Sequence, residues 1–432
     1  MKKKLVLFLS LMLAFSMALA GCSDSSSSGG SSEGGSKGSK GDKLEIFSWW
    51  TGAGEEDGLK ALLKLFDEKN PDIPVQNAAV AGGAGTNAKA VLASRMQGND
   101  PPATFQVHGG AELNSGWVAA DKMEPLNDLY EKEGWKDKFP QSLIDMVSKD
   151  GNIYSVPVNI HRGNVLWYNK KVFADNGITP PKTFDEFFAA ADKLKKAGVT
   201  PLSLGDKEPW TATMLFENIL VGTMGVEDYG KLWTGEIPLD DAKVKESAEI
   251  FKKMLGYVNE DHSSRNWQDA SQMVGKGEAA MNVMGDWAKG YFVNDLKLKT
   301  NEDFGYITTP GTEGKFVVIT DTFGLPKGVK KPEDVKKFLS VLGSVEGQDA
   351  FNPLKGSIPA RTDADQSKYD EYGKQTIADF GKAELAASLA HGSAAPEGFL
   401  TKVNQAVNIF VTQKDVNQFI DSLKAASGDL KK

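Results

Sequence analysis

Lys43-Leu-Glu-Ile-Phe-Ser48 runs into Trp49-Trp50-Thr51-Gly52, and then into a segment carrying Leu59, Leu62, Leu63 and Phe66. The first six residues alternate apolar and polar side chains, which is the period of a strand. The Trp-rich turn ends that alternation. The four apolar residues beyond it recur at helical spacing. Asn70-Pro71 stops the helix, because the residue before a proline is pushed out of the α region. Val75 and Val80 mark a second strand region, and a second helix is expected over 87–97. Strand and helix in alternation are the signature of an α/β layer.

The same alternation continues along the chain. Ile153-Tyr-Ser-Val-Pro-Val158, Val165-Leu-Trp-Tyr168 and Phe316-Val-Val-Ile-Thr320 read as strands. Thr183-Phe-Asp-Glu186 has the spacing of a capping box, and Phe187, Phe188, Ala191 and Leu194 follow it on one helical face until Gly198. Pro332 opens another helix, with Val335, Phe338, Leu339 and Leu342 inside and Gly343 at its end. No repeat of fixed period is present.

The N-terminus carries a different message. Met1-Lys2-Lys3-Lys4 is a positive leader, and residues 5–18 are apolar but shorter than the roughly 20 residues of a spanning helix. Leu19-Ala20-Gly21-Cys22 looks like a bacterial lipobox. That implies a signal peptide over 1–21 and a diacylglycerol on Cys22, the single cysteine of the chain. Residues 22–42 form a lipid-anchored Ser/Gly linker, too polar to bury a core.

Composition closes several classes. The 432 residues carry a formal charge of −8, against the basic face a nucleic-acid partner needs. One cysteine gives no disulfide framework, and four scattered histidines give no metal cluster. Gly82-Gly83-Ala84-Gly85 lacks the Gly-Lys-Ser/Thr of a phosphate cradle and reads as a loop. No Gly-x-Ser-x-Gly elbow and no His-Glu-x-x-His zinc motif occur. Asp and Glu are abundant enough for a glycosidase pair, which makes an anchored extracellular glycoside hydrolase the rival class. A lectin-like surface binder is a third reading.

Four stretches carry a resemblance. The opening strand with its aromatic turn and Leu-x-x-Leu-Phe-x-x-x-Asn-Pro helix is similar to the start of mature extracellular solute-binding proteins of ABC importers. Ile153-Tyr-Ser-Val-Pro-Val-Asn159 with Leu166-Trp-Tyr-Asn-Lys170 looks like that family's first crossing between lobes. Phe304-Gly-Tyr-Ile-Thr-Thr-Pro310 looks like the second, and Lys355-Gly-Ser-Ile-Pro-Ala-Arg361 like the third. Within the family, Ser48-Trp49-Trp50, Gln106-Val107-His108, Asn159-Ile160-His161-Arg162, Asn266-Trp267, Met284-Gly285-Asp286-Trp287 and His391-Gly392 resemble the glucose/mannose-type binding proteins.

The resemblance implies a periplasmic-binding-protein-like fold of type II. Two α/β lobes are joined by a hinge, with a ligand cleft between them. Lobe one is expected over 43–159 plus 310–356, and lobe two over 160–309 plus 357–432. It further implies a binder rather than an enzyme, without cofactor or metal. The implied partners are a glucose-like sugar and a membrane permease with its ATPase. The expected state is a monomer held outside the cytoplasm by the lipid anchor.

A hexose offers apolar C–H faces to aromatic rings and a rim of hydroxyls to polar groups. Trp49 and Trp50 follow the first strand, where α/β sheets place ligands, and Glu55 opens the next helix toward the same side. Gln106 and His108 share one face at the end of another apparent strand, and His161 sits at the first crossing. Trp267, Asp286, Lys327 and His391 match positions that bind sugar in the glucose-type relatives. There, Asp286 would accept from two adjacent hydroxyls and Lys327 would add a point charge. Lys89, on a helix, is a weaker candidate.

Overall fold

The opening strand, Leu44–Phe47, lies inside a sheet rather than at its edge, between Val75–Asn77 and Thr104–His108, both parallel to it. The computed structural model describes residues 43–431. The expected signal peptide 1–21, the expected acylation site Cys22 and the expected linker 22–42 lie outside the described residues.

This first sheet is extended by Asp321–Pro326, which runs antiparallel to Thr104–His108 and also pairs with Ser155–Pro157 and Met123–Glu124. The helix expected after the Trp turn is Ala53–Lys69. It packs with Val345–Lys355 and Pro332–Leu342 over a core that includes Ile46, Phe66, Phe105, Phe323 and Phe338. Pro332 stands at the start of its helix and Gly343 caps it, as the sequence predicts.

A second sheet has the order Thr200–Ser203, Ala279–Val283, Val165–Asn169, Phe304–Thr308. The capping box predicted at Thr183 and Glu186 is present and opens Phe184–Lys196. The helix Trp210–Met224 is buried nearly all round, which fits its apolar composition. These elements enclose a separate core built around Trp167, Phe216, Phe251 and Phe410.

One strand explains how two cores are held together. Lys315–Ile319 pairs antiparallel with His161–Arg162 and parallel with Glu384–Ala387. Successive side chains of a strand point to opposite faces. Phe316 and Val318 therefore enter the first core, while Val317 and Ile319 enter the second. An isolated bridge between Ile160 and Ile358 ties two further crossing segments beside it. The expected second crossing, 304–310, differs from this. Phe304–Thr308 is the edge strand of the second sheet, paired with Val165–Asn169 along its length. The chain changes sides later, through Lys315–Ile319. The architecture is two α/β lobes on a hinge of crossing strands.

Phe316 is fully buried at that hinge. Phe316→Ala is expected to cost about 3–5 kcal/mol of unfolding free energy, by lost burial and the cavity left behind. Urea denaturation measures it, and a cost under about 1 kcal/mol would contradict the hinge strand as part of both cores.

Candidate ligand-binding cleft

Between the two cores lies a cleft lined by Trp49, Trp50, Glu55 and His108 from one lobe and by His161, Trp210, Trp267, Trp287 and His391 from the other. The loop Gly83–Ala84, Ile319, Asp321 and Lys355 complete it. Its open volume is about 30 Å³.

Each wall is fixed from behind. Gln106 Oε1 accepts the Trp49 backbone N–H at 3.1 Å, and the Trp49 ring lies against His108 with centroids 5.0 Å apart. Gly85, at φ +78°, lets the loop pass over that indole. A Cβ there would stand 2.8 Å from the ring, so a side chain would displace it. Trp50 is fully buried between Phe323 and Phe351, yet its Nε1 has no hydrogen-bond partner. His161 Nε2 is likewise buried and makes no hydrogen bond, although Asp321 lies 3.6 Å away.

Charge is gathered at the hinge. Asp321 begins its strand at the cleft edge. It accepts from Gln106 Nε2 and from Asn159 Nδ2, each at 2.7 Å, and its own N–H donates to Asn159 Oδ1. His108 Nε2 and His161 Nε2 stand 3.7 Å and 3.6 Å from its oxygens. Burial pushes its carboxyl up, but His108, Lys355 and His161 outweigh burial and hold it below its ordinary 3.8. Lys355 Nζ donates to Glu55 at 2.7 Å, so the two candidate cleft carboxylates, Glu55 and Asp321, each have protein partners. His391 is pushed well below 6.5, first by burial and then by the nearby His108 and Lys89.

The predicted residues divide by position. Trp49, Trp50, Glu55, His108, His161, Trp267 and His391 line the cleft. Trp267 does so from the first turn of its helix, which Asn266 caps. Gln106 stands one layer back, holding Trp49 and Asp321. Asp286 is also one layer back: one oxygen bonds His161 Nδ1 and the other accepts the Arg162 N–H at 3.0 Å. Both oxygens have protein partners, and the carboxylate holds His161 from behind the lining. Lys89 is not in the lining. It pairs with Glu112 at 2.8 Å, and Glu112 bonds His108 Nδ1 at 2.8 Å.

Lys327 is a correction. Asp321–Pro326 runs antiparallel to Thr104–His108, so the carboxyl end of this strand lies at the edge away from His108. Lys327 is exposed there and bonds Asp121 at 2.5 Å. Sequence reasoning missed Asp321, Lys355, Trp210 and Trp287 as lining residues. Asp321 directly follows an evident strand, and Lys355 opens the motif read as the third crossing, but neither signal says that the side chain turns into the cleft.

A second set of contacts joins the lobes at the rim. The Gly83 N–H donates to Glu208 at 3.3 Å, and Trp210 Nε1 donates to the same carboxylate at 3.1 Å. Lys89 also approaches Glu397 at 3.6 Å. Burial pushes the Glu112 carboxyl up, but Lys89 and His108 outweigh it and hold it below its ordinary 4.5. The unfolded chain therefore binds more protons around and below that value. The stability from this group is complete above about pH 5 and is lost as pH falls through the depressed range. Glu112→Gln is expected to flatten part of the fall in unfolding free energy between about pH 5 and 3, read by urea denaturation across that range. An unchanged slope in the variant would contradict the pairing.

Comparison with known proteins agrees with this arrangement. The family model described as bacterial extracellular solute-binding protein matches residues 52–349. An uncharacterised ABC transporter extracellular-binding protein of Pyrococcus horikoshii is 43% identical over 424 residues, covering 97% of this chain and 95% of the relative. A probable sugar-binding periplasmic protein of Mesorhizobium japonicum is 36% identical over 382 residues, covering 85% and 89%. Among solved structures, the bacterial solute receptor AcbH, described with an exclusive preference for β-D-galactopyranose, has a TM-score of 0.80 at 22% identity. It covers 90% of this chain and 98% of its own, a likeness of fold. The family binds its solutes without transforming them, which removes the glycoside hydrolase alternative. On a match that spans most of its length, this chain belongs to the bacterial extracellular solute-binding proteins.

Proposed function

We propose that the chain is the sugar-capturing subunit of an ABC importer, taking glucose or a related hexose into the cleft and presenting it to a membrane permease with its ATPase. In this reading it works as a monomer outside the cytoplasm, tethered through a lipid on Cys22 and the linker 22–42. The two bodies that close on the sugar are the expected lobes, residues 43–159 plus 310–356 and residues 160–309 plus 357–432, with the boundary at 310 moved to the crossing strand Lys315–Ile319.

The observation that carries this is the pair of unpartnered buried nitrogens, Trp50 Nε1 and His161 Nε2, in a cleft walled by indoles. A buried polar group without a partner costs about 1–3 kcal/mol, so the cleft is suited to a ligand that supplies polar partners between aromatic faces. A pyranose does both. Trp49 and Trp267 offer ring faces. His108, His161, His391, Glu55, Asp321 and Lys355 offer hydrogen-bonding groups of both signs. Gln106, Asp286 and Lys89 act from behind, as described above.

With about 30 Å³ open between its walls, the cleft here is tighter than one wrapped on a pyranose. Entry therefore requires the lobes to part at the hinge. Sugar then favours a form closed around it, with the walls slightly further apart than here, over an open one by no more than its difference in affinity for the two. The rim contacts Gly83–Glu208 and Lys89–Glu397 cross between the lobes and, in this reading, add to that preference.

Titration calorimetry against glucose, mannose, galactose and xylose, with tryptophan fluorescence in parallel, tests the proposal. At least one should bind and alter the fluorescence. Trp50→Phe keeps the ring and removes the N–H, and is expected to weaken that sugar about two- to tenfold. If no mono- or disaccharide gives heat or a fluorescence change, the sugar reading fails.

A further inference from the structure

Behind His391 runs a line of buried groups that holding the ring in place does not require. Glu217, on Trp210–Met224, is fully buried. Its oxygens accept from Ser388 Oγ at 3.0 Å, from the Ala390 N–H at 2.9 Å and from Tyr229 OH at 3.4 Å. Ser388 Oγ in turn lies 3.0 Å from His391 Nδ1 and accepts the His391 backbone N–H at 3.3 Å. With Nδ1 engaged, Nε2 is the ring nitrogen left for the cleft.

A serine hydroxyl has one hydrogen and two lone pairs. Ser388 has three neighbours here: Glu217, the His391 backbone and His391 Nδ1. When Glu217 is ionised, the hydroxyl hydrogen goes to Glu217. Oγ then accepts from Nδ1–H, and His391 presents a bare Nε2. When Glu217 is protonated, its O–H donates to Oγ. The hydroxyl hydrogen then turns to Nδ1, and His391 presents Nε2–H. One proton on Glu217 thus reverses the direction of every bond in the line.

We propose that Glu217 and Ser388 are positioning residues that set whether His391 offers the ligand a hydrogen-bond donor or an acceptor. The consequence for the ligand rests on the sugar reading above; the tautomer change does not.

Other features agree with the geometry. Burial pushes the Glu217 carboxyl up from 4.5 to about 7, against the opposing bonds from Ala390, Ser388 and Tyr229. Both states are therefore populated near neutrality. His391, held well below 6.5 chiefly by burial, stays neutral over the same range. Among the described residues, the titratable group bonded directly to Glu217 is Tyr229. Burial and Glu217 itself push its phenol well above 10, so it does not ionise in this window. On the cleft side His391 faces His108, with ring centroids 5.5 Å apart, and Lys89, His161 and Lys355 lie in its field.

The test is imidazole ¹⁵N and ¹³C NMR on the sugar-free protein from about pH 5.5 to 8.5. Four histidines keep the spectrum simple, and His391→Gln assigns the signal by its loss. The expected result is Nε2–H at the acid end and Nδ1–H at the basic end, with a midpoint near pH 7. In Glu217→Gln the amide donates to Ser388 as the protonated acid does, so Nε2–H should persist throughout. Ser388→Ala should abolish the change. A single wild-type tautomer across the range overturns the proposal, and so does a Glu217→Gln protein that still switches. Should Glu217→Gln fail to fold, the wild-type titration and Ser388→Ala decide alone.

In a second arm, the sugar Kd of the wild type should change about threefold or more across the same range, and Glu217→Gln should remove that change. A flat profile in a wild type that binds sugar overturns the link to ligand. Failure to bind any sugar defeats the sugar reading and leaves the NMR result to judge the relay.

Discussion

A carboxylate buried between two lobes must be compensated, and Asp321 is such a group. It sits where the first sheet meets the crossing strands, at 3% exposure, with Gln106 and Asn159 donating to its two oxygens. An uncompensated charge there would cost several kcal/mol, so the surrounding donors are tightly constrained. The constraint radiates outward. Gln106 can hold Asp321 only from the end of Thr104–His108, and from there its carbonyl also fixes the Trp49 backbone. His108 and His161 approach the same carboxylate from opposite lobes and are steadied in turn by Glu112 and Asp286. The cleft is the space these commitments leave.

The same logic links the hinge to closure. Lys315–Ile319 gives alternate side chains to the two cores, so neither lobe can shed it, while the strand His161–Arg162 beside it is only two residues long. Most contacts across the cleft are polar or aromatic and lie at the rim or on the walls. They can be made and broken without opening either core. A ligand that supplied partners for Trp50 Nε1 and His161 Nε2 would tip this balance toward closure by relieving the cost of leaving them unpaired.

Much of this was legible in the sequence. Period-2 and helical spacing located the first strand and helix, the Thr183 capping box and the Pro332 helix, because those signals are local. The Trp pair was legible because it follows a strand, and the Gln106–His108 pair because it ends one. The inward positions that depend on long-range pairing were not. Asp321 and Lys355 belong to crossing segments whose register only the assembled hinge fixes. Lys327 came from the resemblance alone, and no local signal shows that its strand runs antiparallel to Thr104–His108 and carries it to the far edge. Asp286 was assigned to direct contact because its sequence position gives no sign that Arg162 and His161 take both oxygens. The glycine loop 82–85 read as a bare connection. Its service as a lid over Trp49 needs the positive φ at Gly85 and the close ring, which no periodicity reports.

The central claim is that one small ligand completes the hydrogen bonding of a cleft shared by both lobes. A crystal structure grown with the tightest-binding sugar tests it most directly. The account predicts a single pyranose between the indole walls, with hydroxyls within hydrogen-bonding distance of both Trp50 Nε1 and His161 Nε2. A sugar bound elsewhere, or one that leaves both nitrogens unpartnered, would contradict it.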